Sequence, residues 1–445
     1  MNDKQYKQDL LEVFEIAQKV KGKTLREIAG DNLDDIRYFD NKEKVKHFIQ
    51  QAVFNIPLYS KMEYTFEDLD LELKPIALKY NKFNELTVKE RLVLNDIYYD
   101  EIVNETFKTS KFINKNQLLL IMPYIYEYDK DFLDFKIYDA FIIDITRQKE
   151  FYLIVNDWLA IQEKVKKGKA EELNEGFTNI LSACTKSQSR IDLKKQPYSN
   201  VLARFRSYSF NINFLKEIIF KKQKKIDYIN EIFEENEISD IVEFKNDKIQ
   251  DYLTSIIGTD ISTYTQSKAN QWHQIAFENF LKENNKDLFD FLKTANYKLI
   301  HKLTDYAHIQ EQIPTNYELD AMEILHDEFE DSTFYQEIIL KTYIVIMIDK
   351  NTNELLNYKL FRLSDEDIKK AQTVFYNAKK EIENLISQDS KEEVEPNFTK
   401  IKDNLSIHLR KSKKNTTTVY KLNDKEIEIP TYEFWINKNV IFNEK

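Results

Sequence analysis

The chain reads as an α/β (α+β) protein with two tandem domains joined by a helical connection. Three observations predict this. Stretches with helical apolar spacing alternate with short runs rich in β-branched and aromatic residues. The same order of elements recurs in the second half. A highly charged helical stretch lies between the halves. The expected boundaries are 1–225, 226–265 and 266–445.

Taken in order, residues 1–19 and 42–54 carry helical spacing. Residues 63–80 read as a strand region. Within it Leu69, Leu71 and Leu73 alternate with Asp68, Asp70, Glu72 and Lys74, which places those four polar residues on one strand face. A helix is expected at 97–108, core strands at Leu118–Tyr128 and Tyr138–Ile145, and an amphipathic helix at Asp157–Glu175 with Trp158 as a packing anchor. The connection contains Ile229, Ile232, Phe233, Ile238 and Ile241, which predicts a packed helix and not a loose tether.

The second half opens with a helix at Ser267–Leu281, then a strand at Tyr297–Leu303 and a short helix at Phe334–Leu340. A buried strand at Thr342–Asp349 follows, with a hairpin partner at Leu355–Leu363. Ser364 to Asp367 caps a helix running to about residue 388. Lys186 lies 24 residues before Phe210, and Lys411 lies 24 before Trp435. An Asn follows closely in both places, at Asn211 and Asn437.

Composition excludes several classes. Five glycines, with no GxGxxG and no GxxxxGK[ST], argue against Rossmann and P-loop enzymes. The single cysteine, Cys184, allows no intrachain disulfide. The first residues lack an apolar signal core and no run reaches membrane-helix length, so a cytoplasmic protein without membrane contact is expected. His301 and His326 lack metal spacing. The acidic run Asp327 to Asp331 reads as a solvated loop.

The net charge of −11 counts against generic nucleic-acid binding. Two local basic stripes oppose it. Lys186, Arg190, Lys194, Lys195, Arg204 and Arg206 share one segment with a single acid, Asp192. Arg410, Lys411, Lys413 and Lys414 lie in an acid-free segment, expected to be a loop after a strand at Leu405–Leu409. Local cationic stripes can contact phosphates on an acidic protein.

Glu72-Leu73-Lys74 is a Glu-x-Lys, the pattern that sets a carboxylate on Mg²⁺ beside a lysine at an attacked phosphate. Alone it arises by chance in a chain this rich in Lys and Glu. Its context is more specific. Val20 to Ile28, Phe48 to Ile56 and Glu63 to Pro75 come in order, then Lys89 to Asn95 and Thr109 to Asn116. Asp157-Trp158, Gly168 to Gly176, Cys184-Thr185-Lys186, Gln196-Pro197-Tyr198-Ser199 and Arg204 to Phe210 follow. Together these blocks resemble the MutH and Sau-type GATC restriction endonucleases over roughly the first half of the chain.

The resemblance implies two tandem MutH-like domains, the first with a PD-(D/E)xK centre and the second a DNA-binding or effector domain without catalytic residues. It implies double-stranded DNA as partner and Mg²⁺ as cofactor if the centre is active. On it, Glu72, Lys74 and Lys115 match catalytic positions. Two carboxylate positions are lost: the helical Glu falls on Gln50, or Gln51 if the gap moves by one, and the Asp falls on Thr65. Neither amide nor hydroxyl supplies the anionic oxygen that Mg²⁺ prefers. Glu72 and Asp70 remain as candidate metal ligands.

Three readings stay open. One is a DNA-binding protein of this family in restriction-modification or phage defence, recognising a short GATC-like site with an impaired centre. It could pair with an active nuclease paralogue, a methyltransferase system or a second copy of itself. Another is an active Mg²⁺-dependent endonuclease that uses Glu72, Lys74, Lys115 and Asp68 or Asp70. The last is a protein-interaction scaffold without DNA binding.

Overall fold

A computed structural model describes residues 3–36, 43–57, 64–81, 84–185, 192–220, 246–267, 272–305, 311–387, 396–400, 402, 406–412, 416–422 and 425–442. The chain divides into two compact units, Met1–Ile241 and Val242–Lys445. Of the expected connection at 226–265, residues 226–245 lie outside the described residues and 246–265 are described. Among the described residues, no helix is long and apolar enough to cross a membrane.

The first unit begins with helices α1 (Asp3–Gln18), α2 (Leu25–Ala29) and α3 (Lys44–Ala52). Strands β1 (Leu71–Tyr80), β2 (Leu86–Val88) and β3 (Leu92–Asp96) follow, then α4 (Tyr99–Ile102), α5 (Lys111–Asn116), β4 (Leu118–Ile125), β5 (Lys136–Ile137) and β6 (Phe141–Asp144). Next come α6 (Phe151–Lys166), β7 (Leu181–Thr185), β8 (Leu193–Gln196), β9 (Ser199–Arg204), β10 (Arg206–Phe210) and α7 (Ile212–Phe220).

The central sheet runs β2-β1-β4-β5, with β6 also paired to β4. β1 and β4 are parallel, in register from Leu71 with Leu118. Leu71, Leu73, Leu118, Leu120 and Ile142 face one core, where Leu10, Phe14, Phe48 and Ile49 from α1 and α3 cover them. Ile76, Leu78, Leu119, Ile121 and Ile143 are buried as well, so both faces of the sheet are covered. That is the usual setting of a parallel pair. A second sheet, β3-β10-β7, and the hairpin β8-β9 complete the unit.

Several expectations are corrected. The strand begins at Leu71, because Glu67–Leu69 form a 3₁₀ turn and Asp70 adopts a left-handed conformation (φ 48°). The turn breaks the two-residue period, so Asp68 and Asp70 do not share the face of Glu72; both are exposed. The expected helix at 97–108 contracts to α4 and a 3₁₀ turn at Phe107–Thr109, whose start is fixed by the Thr106 and Thr109 side chains. α6 starts at Phe151 and ends at Lys166, so Asp157 and Trp158 sit inside the helix and not at its cap. Trp158 is fully buried. Asp157 accepts hydrogen bonds from the backbone N–H groups of Asn179, Ile180 and Leu181, tying α6 to the start of β7.

The second unit contains α8 (Asn246–Ser255), α9 (Trp272–Asn284), α10 (Lys286–Thr294), β11 (Tyr297–Thr304), β12 (Ile313–Glu318) and α11 (Ala321–His326). A π-helical turn at Tyr335–Ile339 precedes β13 (Thr342–Asp349), β14 (Leu355–Arg362) and α12 (Asp365–Ser387). The unit ends with β15 (Ile407–Lys411), β16 (Thr417–Leu422), β17 (Lys425–Pro430), β18 (Tyr432–Ile436) and α13 (Lys438–Phe442). Ser364 and Asp367 cap α12 reciprocally, as the sequence predicts.

The two units share a plan. β11 and β13 are parallel and β14 returns antiparallel to β13, as β6 returns to β4. β18 is central in β12-β18-β15, as β10 is central in β3-β10-β7. In this register Tyr297 corresponds to Leu71, so Lys298 and Ile300 stand where the first unit has Glu72 and Lys74. The second unit therefore has no Glu-x-Lys at that strand start.

One glycine is required by a close approach. Gly168 has φ +64°, and a Cβ there would lie 2.6 Å from the carbonyl oxygen of Tyr198 at the tip of the β8-β9 hairpin. Gly168→Ala should lower stability by roughly 1–3 kcal/mol, from left-handed strain plus this contact. Urea unfolding measures this; an unchanged midpoint would mean that the hairpin does not seat on Gly168.

Candidate functional site

The centre is built where three elements meet at the start of β1. The turn before that strand folds back, pairing Phe66 with Leu71 through reciprocal backbone bonds of 3.0 and 3.3 Å. It returns Thr65 to the side of Glu72. The Thr65 backbone N–H and hydroxyl both donate to Glu72 Oε2, at 3.0 and 3.2 Å. The Thr65 hydroxyl in turn accepts from the Leu73 N–H at 3.3 Å. Thr65 thus acts as a clasp on the strand, with its hydroxyl turned to the carboxylate.

α3 supplies the next group. Lys46 Nζ donates to Glu72 Oε1 at 2.8 Å. Lys46 lies one helical turn before Gln50, hence on the same side of α3. Lys74, two residues along β1 and therefore on the face of Glu72, approaches Oε1 at 3.9 Å. Lys115 lies near the end of α5, whose start is capped by Ser110 (3.3 Å to the Ile113 N–H). Because α5 runs into β4, and β4 pairs with β1 from Leu118 opposite Leu71, Lys115 reaches the same end of the sheet. It acts electrostatically on both Glu72 and Lys74.

The electrostatics follow from burial and charge. Glu72 is 3% exposed and Lys74 8%. Burial opposes ionisation of Glu72, but Lys46, Lys74 and Lys115 outweigh it and hold its pKa below the ordinary glutamate value. Burial pulls Lys74 down to about 8; Glu72 opposes that shift, and Lys46 and Lys115 reinforce it. The result is a single ionised carboxylate surrounded by three lysines.

This donor set does not fit a Mg²⁺ ion. A hard divalent cation needs several anionic oxygens with free lone pairs. Here Glu72 offers the anionic oxygen, and both its oxygens already accept hydrogen bonds, from Lys46 and Thr65. Asp70, named with Glu72 as a candidate ligand, is the exposed left-handed residue of the turn, near Tyr6. Asp68 is exposed too. Gln50 is half-buried on α3 without a charge to offer. Among the described residues, no group of three or more His, Cys, Asp or Glu could hold a metal ion.

The basic stripes divide. Lys186, Arg190, Lys413 and Lys414 lie outside the described residues. Lys194 and Lys195 are exposed on β8, with Lys194 paired to Asp192 at 3.1 Å and 5.0 Å from the Phe205 ring centre. The hairpin also exposes Tyr198, Val201 and Leu202. Arg204 is half-buried at the end of β9. Arg206 does not face solvent: it is 6% exposed and donates to the Ala183 carbonyl at 2.9 Å inside the β3-β10-β7 sheet. Its surroundings make it a structural residue.

In the second unit Arg410 and Lys411 lie on β15 and not on a loop. Arg410 Nε donates to His408 Nε2 at 2.9 Å, and the guanidinium stacks on Trp435 at 4.5 Å. Lys411 is exposed. Lys46 is the residue that sequence reasoning missed. Its signal was its place one turn before Gln50, on the helix side where the lost carboxylate was expected.

Two predictions follow from these contacts. Glu72→Gln should cost about 3 kcal/mol or more at pH 7, because it strands the buried ammonium of Lys74. The loss should shrink at pH 9, where Lys74 is mostly neutral; equal losses in denaturation at both pH values would contradict the pairing. His408, buried and accepting from Arg410, has its pKa pushed down to about 4 by burial and the neighbouring cation. It stays neutral in the fold while the unfolded chain takes up a proton below about 6.5. Stability should therefore fall as pH drops from 6.5 towards 4, by on the order of 1 kcal/mol at pH 5 after solvent screening. His408→Gln should flatten that part of the profile; an unchanged slope would show that His408 is not the group responsible.

Comparison with known proteins agrees with the geometry. The family described as the DNA mismatch repair enzyme MutH matches residues 54–157, a stretch that contains Thr65, Glu72, Lys74 and Lys115. The type II restriction enzyme Sau3AI of Staphylococcus aureus is 26% identical over 404 residues, spanning 83% of this chain and 81% of that enzyme. The match extends well beyond the first unit, in keeping with a restriction-endonuclease-like fold in the chain. The order of motifs and the position of Glu72-Leu73-Lys74 on β1 accord with this similarity to MutH and to a type II restriction enzyme.

Proposed function

We propose that this protein binds duplex DNA at a short GATC-like site and has an impaired nuclease centre, acting in restriction-modification or phage defence. The observation that carries the reading is the state of Glu72. Its two oxygens are held by Lys46 at 2.8 Å and by Thr65 at 3.0 and 3.2 Å, and among the described residues no group of three or more His, Cys, Asp or Glu could hold a metal ion. Binding is supported by the similarity to MutH and to a type II restriction enzyme and by the exposed cations of the β8-β9 hairpin. Phosphate contacts of this kind position a protein on DNA without reading sequence. A sequence-reading role would fall to loops and strand ends around the centre and, by the shared plan, to the second unit.

The reading makes two measurable demands. Supercoiled plasmid containing GATC sites should survive incubation with Mg²⁺ or Mn²⁺, with no discrete fragments over hours. Rapid fragmentation that Glu72→Ala abolishes would establish an active endonuclease instead. The protein should bind duplex DNA with strong salt dependence, each phosphate contact adding about −0.9 to the log–log slope. Lys194→Ala with Lys195→Ala should weaken binding to all sequences about equally and reduce the slope by about 1–2. Absence of binding at low salt would favour a protein-interaction scaffold.

A further inference from the structure

We propose that Lys46 takes the place of a divalent cation, so that Lys46, Lys74 and Lys115 form a phosphodiester-binding site that works without metal. The proposal deepens the DNA-binding reading above and rests on it. In a metal-dependent centre the cation does two things: it neutralises the carboxylates that hold it, and it presents positive charge to the phosphate. Lys46 meets both requirements from within the chain. Its ammonium lies 2.8 Å from Glu72 Oε1, so the one remaining carboxylate is neutralised. An ammonium has three N–H donors, and a single carboxylate oxygen satisfies one of them. The Lys46 side chain is 23% exposed, so the remaining donors can reach a ligand from the solvent side.

The charge count favours an anion. Three lysines act on one buried carboxylate. Glu43, at the start of α3, also acts on Lys74, but it is largely exposed and lies 3.7 Å from His47 Nε2. Among the described groups that act on Glu72 and Lys74, three lysines stand against Glu72 and Glu43 on an otherwise acidic chain. Thr65 adds to this by omission: it holds Glu72 in place through neutral donors and brings no second negative charge. Gln50 and Thr65, neutral where the resemblance places carboxylates, and Lys46 one turn before Gln50 act in the same direction: they favour an anion over a cation.

The test measures duplex affinity of the full chain in EDTA across a salt series, then with Ca²⁺ in place of EDTA. The parent should bind equally well in both. Lys46→Gln should raise Kd roughly tenfold in EDTA and reduce the salt slope by about 0.9, the value for one lost phosphate contact. Lys46→Arg, which keeps the charge, should retain most of the affinity and the parent slope. This rescue separates loss of charge from loss of fold, and circular dichroism on each variant checks the latter. A parent that binds only with Ca²⁺, or a Lys46→Gln variant with unchanged affinity and slope in EDTA, would overturn the proposal and leave the DNA-binding reading standing. A parent that binds duplex under neither condition would overturn both.

Discussion

The ion pair between Lys46 and Glu72 is the constraint on which the site depends. A carboxylate buried at 3% exposure is costly unless charge and hydrogen bonds compensate it. In this chain the compensation is internal. Lys46 supplies the charge, and the amide and hydroxyl of Thr65 supply the remaining bonds. Glu72 also moderates Lys74, whose burial, reinforced by Lys46 and Lys115, would otherwise push its ammonium further towards neutrality. This satisfaction from within the chain is what the proposed metal-free, anion-holding role of the centre rests on.

The fold explains why these groups converge. Parallel pairing of β1 and β4 brings two strand starts to one end of the sheet, so α5 delivers Lys115 beside Glu72. α3 packs Phe48 and Ile49 into the core beneath Leu71 and Leu73, which fixes the depth and direction of Lys46. The 3₁₀ turn and left-handed Asp70 return Thr65 to the strand. The second unit repeats the parallel pair and the antiparallel return, with Lys298 and Ile300 in place of the Glu-x-Lys.

Much of this was legible in the sequence, and the failures have physical causes. The apolar runs at Leu118 and Thr342 are buried strands because their β-branched and aromatic residues leave no polar face. The Asn211 and Asn437 signals mark two central strands that each lead into a helix; at the first, Asn211 accepts from the Phe214 N–H at 2.8 Å. The alternating segment misled, because a strict two-residue period before Leu71 is interrupted by a turn that Asp70 tolerates and most residues would not. The basic stripes misled in part, because charge type does not report burial: Arg206 lies inside a sheet and Arg410 is held by His408 and Trp435. Lys46 is less legible, because the motif pattern marks what Gln50 lacks and not the residue one helical turn before it.

Divalent-ion binding to the unmodified protein tests the central claim most directly. Titration with Mn²⁺, followed by the electron paramagnetic resonance signal of the free ion, reports any site that competes with water. With both oxygens of Glu72 engaged, no stoichiometric site should fill at sub-millimolar Mn²⁺, and Glu72→Ala should leave the titration unchanged. One tight Mn²⁺ per chain that disappears in Glu72→Ala would contradict the account, because it would show that the carboxylate serves a metal and not Lys46.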